Sequence, residues 1–225
     1  MSETILVIAA HPDDEVLGCG GTLARHVDCG DTVHILLLGD GVGSRGDLSG
    51  IEARNLAAMK AAKALGVKPP RLFNFPDNSF DSLSMLEIVK IIEGQVEKVR
   101  PSVVYTHHGG DLNIDHVRTH QAVLTACRPL PGVSIRAVYG FEVLSSTEWG
   151  SLDQGLPFRP TYAVDVTTTW ERKIAALQCY SAEMRDFPHA RSFEAVEALA
   201  RLRGAENGCT AAEGFTVLRQ IWRLH

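Results

Sequence analysis

Three consecutive acids follow a histidine and a proline at the first turn that this sequence predicts. The stretch reads AAHPDDEVLGCGG over residues 9–21, directly after the apolar run ILVI. Adjacent carboxylates repel one another, and a positive charge among them would relieve the repulsion. The pattern therefore predicts a cation among Asp13, Asp14 and Glu15. Histidine nitrogen and carboxylate oxygen are both ligands of catalytic zinc.

A second polar cluster, HHGGDLNIDH, occupies residues 107–116 after another predicted strand. His11 and Asp14 could supply two metal ligands from the first turn, and His116 a third from this cluster. Three protein ligands leave one position for water, whose pKa zinc lowers from 15.7 toward roughly 7. Asp13 would then be free to accept the proton of that water as general base.

Each cluster taken alone also has a structural interpretation. Proline and aspartate are favoured in the first turn of a helix, so HPDD is equally typical of a helix start. His116 and His120 could simply be exposed on one helical face. They could also bind a metal together, although no HExxH motif accompanies them. The three-ligand interpretation depends on both clusters meeting in space.

The elements around the clusters predict that they do meet. Apolar strands alternate with helices, a pattern typical of parallel sheets with right-handed crossovers. This predicts an α/β fold, with one Rossmann-like domain over residues 1–225, a mostly parallel sheet and helices on both faces. Both clusters follow strands at the carboxyl edge, where such sheets bind ligands. Strands are predicted at 4–10, 32–38, 71–75, 102–107, 134–144 and 161–166, helices at 16–28, 53–67, 85–99, 116–127, 169–184 and 192–204, and a loop at 150–160.

Composition narrows the classes of partner. The net charge is −5 and no Lys/Arg cluster is visible, which argues against nucleic acid as a partner. No apolar stretch approaches the roughly 18 to 20 residues of a membrane span, and no signal peptide is evident. The five cysteines form no CxxC pair, which favours a reducing, cytoplasmic setting. The sequence leaves a homo-oligomer open.

The stretch AHPDDEVLGCGGTLARH resembles the opening signature of the LmbE-like/PIG-L family of zinc-dependent N-deacetylases. The similarity continues through Arg54, ALG at 64–66, FPD at 75–77, DH at 115–116 and RGAENGCTAAEGF, which ends at Phe215. The family removes acetyl groups from N-acetylglucosamine units. The resemblance implies an LmbE/PIG-L-like fold, Zn²⁺ as cofactor and a small N-acetylated sugar or glycoconjugate as substrate. Iron, cobalt or manganese also suit two histidines and one carboxylate.

The resemblance also implies roles for particular residues. It makes Asp13 the general base, Arg54 and Asp77 contacts of the sugar, and the metal ligands His11, Asp14 and His116. Without it, Arg54 is equally typical of a solvated helix end and Asp77 of a turn.

Two positions depart from the family pattern. Asn113 stands where many members have the first histidine of HPDH. Asparagine can donate a hydrogen bond to an oxyanion but cannot act as a general acid. That role stays open between Asp13 and the histidines at 107, 108 and 120, and His108 is equally typical of a structural loop residue. Ala57 replaces a glutamate that members often carry three residues after the arginine.

A dinucleotide-dependent enzyme is one alternative. Gly18, Gly20 and Gly21 follow the first strand, and Asp40 follows the second as a candidate ribose ligand. Leu23 breaks the GxGxxG spacing, however, and the acids of HPDDE oppose a pyrophosphate.

A second alternative is a non-catalytic sugar- or metal-binding protein on the same scaffold. Such a site has little need for Asp13 beside the ligand Asp14. We therefore expect a metal-dependent hydrolase that removes the N-acetyl group of an N-acetylglucosamine-type sugar and releases acetate.

Overall fold

The strands of the described residues form one seven-stranded sheet. The computed structural model describes residues 2–43, 50–150 and 157–222. The strands are β1 Thr4–Ala9, β2 Thr32–Gly39, β3 Arg71–Phe75, β4 Val103–His107, β5 Ala137–Phe141, β6 Tyr162–Asp165 and β7 Ala212–Gln220. The α-helices are α1 Asp14–Asp28, α2 Ile51–Leu65, α3 Met85–Val99, α4 Ile114–Ala126, α5 Trp170–Cys179 and α6 Phe193–Asn207.

The strand order is β3-β2-β1-β4-β5-β7-β6. The first five strands pair in parallel, whereas β7 runs antiparallel to both β5 and β6. The predicted mostly parallel α/β fold is confirmed. The strand order reverses between β1 and β4, which makes their carboxyl ends the switch point where such sheets bind ligands.

Alternate residues of β1 belong to two separate cores, one on each face of the sheet. Ile5 and Val7 pack with residues of α1, α2, α5 and α6. Leu6 and Ile8 pack with residues of α3 and α4. A strand buried on both faces reads as a continuous apolar run, which explains the sequence TILVIA.

The C-terminal third differs most from the sequence prediction. Strand β7, AEGFTVLRQ, was not predicted, because its glycine and polar residues interrupt the apolar pattern that marks the parallel strands. Strand β5 is shorter than the predicted 134–144, and α5 ends at Cys179, before the predicted 184. Residues 151–156 of the predicted loop lie outside the described residues.

The glycines of α1 allow it to pack closely on the sheet. A Cβ at Gly18 would collide with the Phe141 ring, and one at Gly21 would lie 2.8 Å from Val166. Close packing therefore accounts for the glycines that suggested a dinucleotide site. Of the helices in the described part of the chain, none is long and apolar enough to cross a bilayer.

Candidate active site

The turns after β1 and β4 lie side by side because these two strands pair in parallel. The first turn carries His11 and leads into Asp14 at the start of α1, and the second leads into His116 in the first turn of α4. The structure brings these three buried residues together, with one ligand atom of each within 4.8 Å of the others. The predicted meeting of the two clusters is thus observed.

Asp14 lies between the two histidines. Its Oδ2 is 3.3 Å from His11 Nδ1 and 3.2 Å from His116 Nε2. Its Oδ1 is buried and has no hydrogen-bond partner among the described residues. A buried carboxylate oxygen without a partner is costly unless a cation satisfies it. The donor set and this oxygen both fit a divalent metal ion.

Carboxylates also contact the far side of each histidine ring. His11 Nε2 lies 2.9 Å from Asp115 Oδ2 and 3.1 Å from Asp77 Oδ1. His116 Nδ1 lies 3.2 Å from Asp111 Oδ1. Metal-binding histidines typically direct their second nitrogen to a carboxylate, which fixes the ring orientation. Sequence reasoning missed Asp111, although it lies within the second cluster.

A second group of potential ligands consists of His11, Asp77 and Asp115. The carboxylate of Asp115 already accepts two backbone N–H groups, from Asn78 at 2.7 Å and from Phe80 at 2.9 Å. With these bonds and its contact to the imidazole, Asp115 fits the orientation of His11 better than direct metal binding.

The pKa values reflect the negative charge of the cluster. Burial lowers the pKa of His116, but the charge of Asp14 and the hydrogen bond with Asp111 outweigh it and raise the value to about 9. Burial likewise opposes a charge on His11, yet its hydrogen bonds with Asp115, Asp14 and Asp77 raise its pKa well above the usual value. The carboxylates therefore attract positive charge into this site.

The three consecutive acids have three different environments. Asp13 Oδ2 contacts Arg191 Nη1 at 2.9 Å and Arg54 Nη2 at 3.2 Å, while its buried Oδ1 has no hydrogen-bond partner in the described ranges. Glu15 accepts the Asp13 N–H at 3.0 Å and the Tyr180 hydroxyl at 2.7 Å, and burial raises its pKa to about 7. Of the three acids, Asp14 is thus the one that the structure places against both histidines, and a cation among the acids remains a prediction.

A cavity of about 230 Å³ opens beside this cluster. Arg54 is buried on its wall, where it also pairs with Glu183. Asn113 caps α4 by accepting the Asp115 N–H at 2.8 Å, and its Nδ2 donates to Asn78 Oδ1 at 3.3 Å. The lining residues are His11, Asp13, Gly41, Arg54, Asp77, Asn78, Asn113, His116, Glu183 and Arg191.

The three other candidate histidines are not among the described residues that line this cavity. His107 stacks on the His116 ring at 3.9 Å and accepts the Ala10 N–H, and burial lowers its pKa well below the usual value. His108 meets the Phe158 ring edge-on at 5.3 Å. His120 Nδ1 lies 2.8 Å from the carbonyl oxygen of His107.

Comparison with known proteins gives a consistent result for family and fold. Residues 6–127 match the model of the family described as PIG-L: GlcNAc-PI de-N-acetylase. The uncharacterized deacetylase YaiS of Escherichia coli is 38% identical over 57% of this chain and 70% of its own length. The 1D-myo-inositol 2-acetamido-2-deoxy-alpha-D-glucopyranoside deacetylase of Mycolicibacterium smegmatis is 26% identical over 85% of this chain and 84% of its own.

One solved structure and one further relative complete the comparison. The N,N'-diacetylchitobiose deacetylase of Pyrococcus horikoshii superposes with a TM-score of 0.78 over 97% of this chain and 84% of that one, at 23% identity, a likeness of fold. The 4-oxalmesaconate hydratase of Pseudomonas putida is 28% identical over 80% of this chain and 74% of its own.

Proposed function

The chain belongs to the PIG-L family, and we propose that it is a metal-dependent N-deacetylase. Its substrate is an N-acetylglucosamine-type sugar or glycoconjugate, and its products are acetate and the free amine. The observation that carries the proposal is the pair of buried oxygens without a hydrogen-bond partner among the described residues, Asp13 Oδ1 and Asp14 Oδ1, in adjacent residues beside two histidines. One suits a metal ligand and the other a base.

His11, Asp14 and His116 would hold the metal, and zinc suits two imidazole nitrogens and one carboxylate oxygen. When bound, such an ion polarises an amide carbonyl and lowers the pKa of water to roughly 7. Iron, cobalt and manganese suit the same ligands. Asp111 and Asp115 keep the two imidazole rings in the orientation that presents their nitrogens to Asp14.

Asp13 accepts the proton of the attacking water on Oδ1 and delivers it to the nitrogen of the breaking C–N bond. Its other oxygen is held by Arg54 and Arg191. Four groups are candidates for the second proton transfer, namely Asp13, His107, His108 and His120. Of these, Asp13 is among the described residues that line the cavity. One carboxylate therefore serves first as base and then as acid.

The polar wall of the cavity provides groups for the sugar. Asn113 Nδ2 can donate to the developing oxyanion once it leaves Asn78. Asp77 can accept a sugar hydroxyl while remaining close to His11. Arg54 lines the same cavity, and its guanidinium would contact the sugar while it also pairs with Asp13 and Glu183.

A hydratase is the second candidate, favoured by the similarity to the Pseudomonas putida enzyme. Addition of water to a C=C bond needs the same activated water and proton acceptor, but it releases no acetate. The product therefore separates the two functions.

The test measures acetate and primary amine released from N-acetylglucosamine and N,N'-diacetylchitobiose. Chelator-treated protein is compared with protein reloaded with Zn²⁺, alongside His116→Ala and the control His34→Ala, whose histidine lies outside the cluster on β2. We expect equal acetate and amine from the reloaded wild type and the control, and neither from His116→Ala. Stoichiometric metal without acetate, together with hydration of 4-oxalmesaconate, would replace the deacetylase proposal with the hydratase.

A further inference from the structure

Arg191 contacts the proposed general base directly, and sequence reasoning assigned it no role. It lies between α5 and α6, 178 residues from Asp13 along the chain. Its Nη1 lies 2.9 Å from Asp13 Oδ2, and its Nε donates to Ser145 Oγ at 3.0 Å. The side chain is 19% exposed and lines the cavity.

The two guanidiniums at Asp13 are not equivalent. Arg54 shares its charge between Asp13 and Glu183, whereas Arg191 bonds, besides Asp13, to the neutral Ser145 hydroxyl. Both guanidiniums bind the same oxygen, Oδ2. The geometry therefore leaves Oδ1 as the oxygen that accepts a proton. Because the guanidiniums fix Oδ2, the carboxylate cannot rotate about its Cβ–Cγ bond, and Oδ1 keeps its position.

The backbone around Arg191 is itself held. Its N–H donates to His189 Nδ1 at 2.9 Å, and its carbonyl accepts the Arg185 N–H at 3.0 Å. The next residue, Ser192, caps α6 by accepting the Ala195 N–H at 3.0 Å. Arg191 thus extends from a well-fixed helix start, so it can fix the position of another side chain.

Arg191 also connects the base to the support of a metal ligand. Ser145 precedes Ser146, whose hydroxyl donates to Asp111, and Asp111 contacts His116 Nδ1. A residue that bridges these two parts of the site can set the distance between the proton acceptor and the metal ligands.

We propose that Arg191 is a positioning residue of the reaction, an inference that rests on the proposed deacetylase function. It holds Asp13 so that Oδ1 takes the proton as the water oxygen bonds to the acyl carbon. The same proton then passes to nitrogen as the C–N bond breaks, and Arg191 itself transfers none. Its loss should lower kcat and leave KM nearly unchanged, because the contact acts on the base and not on the bound sugar.

The test uses zinc-loaded Arg191→Ala and Arg191→Lys, with Arg185→Ala as the control. Arg185 lies on the same segment, but its guanidinium donates to the backbone carbonyls of Ala182 and Met184. With N-acetylglucosamine, we expect Arg191→Ala to lower kcat about 10- to 100-fold. This is part of the roughly 10²- to 10⁴-fold rate acceleration that a positioned acid or base supplies. KM should stay within about threefold, because uniform binding is retained. Methylguanidine should restore kcat in Arg191→Ala, Arg191→Lys should retain part of it, and Arg185→Ala should behave as wild type.

A second measurement keeps this inference separate from the proposed function. This measurement is the binding of acetohydroxamic acid to the zinc-loaded chains, followed by calorimetry. Its affinity depends on a protein group that accepts the proton of the hydroxamate hydroxyl, and it does not require that the sugar be hydrolysed. We expect weaker binding to Arg191→Ala and recovery with methylguanidine. A wild type that releases no acetate would refute the deacetylase proposal, and the hydroxamate comparison would still test Arg191. Unchanged kcat, or unchanged hydroxamate affinity where the sugar is not hydrolysed, would overturn the role of Arg191, as would equal losses in Arg185→Ala.

Discussion

Two buried charged clusters lie along helix α1, and they are built differently. In the middle of the helix, Cys19 has non-helical backbone angles and the helix is kinked. There the Glu213 carboxylate accepts the N–H groups of Gly21 at 3.0 Å and Thr22 at 2.7 Å. Lys173 Nζ donates to Glu213 at 2.6 Å and to the Leu17 carbonyl at 2.9 Å. This pair replaces hydrogen bonds that the kink frees.

At the start of α1, the second cluster leaves acceptors unused. Asp13 Oδ1 and Asp14 Oδ1 are buried without hydrogen-bond partners in the described parts of the chain, whereas both carboxylate oxygens of Glu213 are engaged. Native structures leave few buried polar atoms without partners. We therefore interpret Glu213 as a charge that stabilises the fold, and the unpartnered oxygens of Asp13 and Asp14 as acceptors for a proton and a metal ion.

The largest expected effect comes from Asp14→Ala, which removes the carboxylate between the two histidines. Metal stabilisation of developing charge is worth several kcal/mol, so deacetylation should fall by about a thousand-fold or more. Bound metal, measured by elemental analysis after gel filtration, should fall with it. Full metal content in this variant would show that the ion binds elsewhere.

The corresponding change in the other cluster is Lys173→Met. Removal of one partner leaves the Glu213 charge buried and partly unpaired, which typically costs about 3–5 kcal/mol of unfolding free energy. Denaturant titration measures this loss. Metal content and kcat of the folded fraction should match those of wild type. Loss of metal without loss of stability would contradict the assignment of stability to the Glu213 cluster and of metal binding to the cluster at the start of α1.

Asp115→Asn should have an intermediate effect, because Asp115 contacts the far side of the His11 ring without facing Asp14. Loss of such a carboxylate typically lowers metal affinity about 10- to 100-fold. Competition with a chelator measures the affinity. The control is Asp165→Asn, whose exposed carboxylate accepts the Thr167 N–H. Equal affinities in the two variants would mean that Asp115 does not orient a ligand.

The smallest effect is expected from Lys90→Met. It makes the same lysine-to-methionine change as Lys173→Met, but in an exposed ion pair. Lys90 Nζ lies 2.7 Å from Glu93 Oε2, and its side chain is 67% exposed. Exposed ion pairs contribute about 0–1 kcal/mol to stability. Lys90→Met should therefore lower the unfolding free energy by less than Lys173→Met does. A comparable loss in both variants would mean that burial does not distinguish these pairs.

Residues close to one another in sequence were predictable at the site. HPDDE and DH follow two apolar strands, and parallel pairing of those strands brings their carboxyl ends together. The positions of His11, Asp14 and His116 follow from this topology. The role of each as a metal ligand remains a prediction, as do the single domain over residues 1–225 and the sugar contacts of Arg54 and Asp77.

Residues that reach the site across long sequence separations were not predictable. Arg191 contacts Asp13 across 178 residues, and Glu213 contacts Gly21 across 192. A single polar residue has no periodicity, so its partner becomes visible only when the elements pack. The environments of Asp13 and Glu15 were missed for the same reason, since Arg54, Arg191 and Tyr180 determine them.

Metal binding and proton transfer depend on adjacent but separate carboxylates in this proposal, and Asp13→Asn distinguishes the two roles. Bound zinc and acetate release from N-acetylglucosamine are measured on the same purified sample. We predict that zinc per chain stays at the wild-type value, while kcat falls about 10²- to 10⁴-fold, as expected for a lost general base. Wild-type kcat in a chain that retains its zinc would contradict the role of Asp13 as general base, because the water would then lose its proton without this carboxylate.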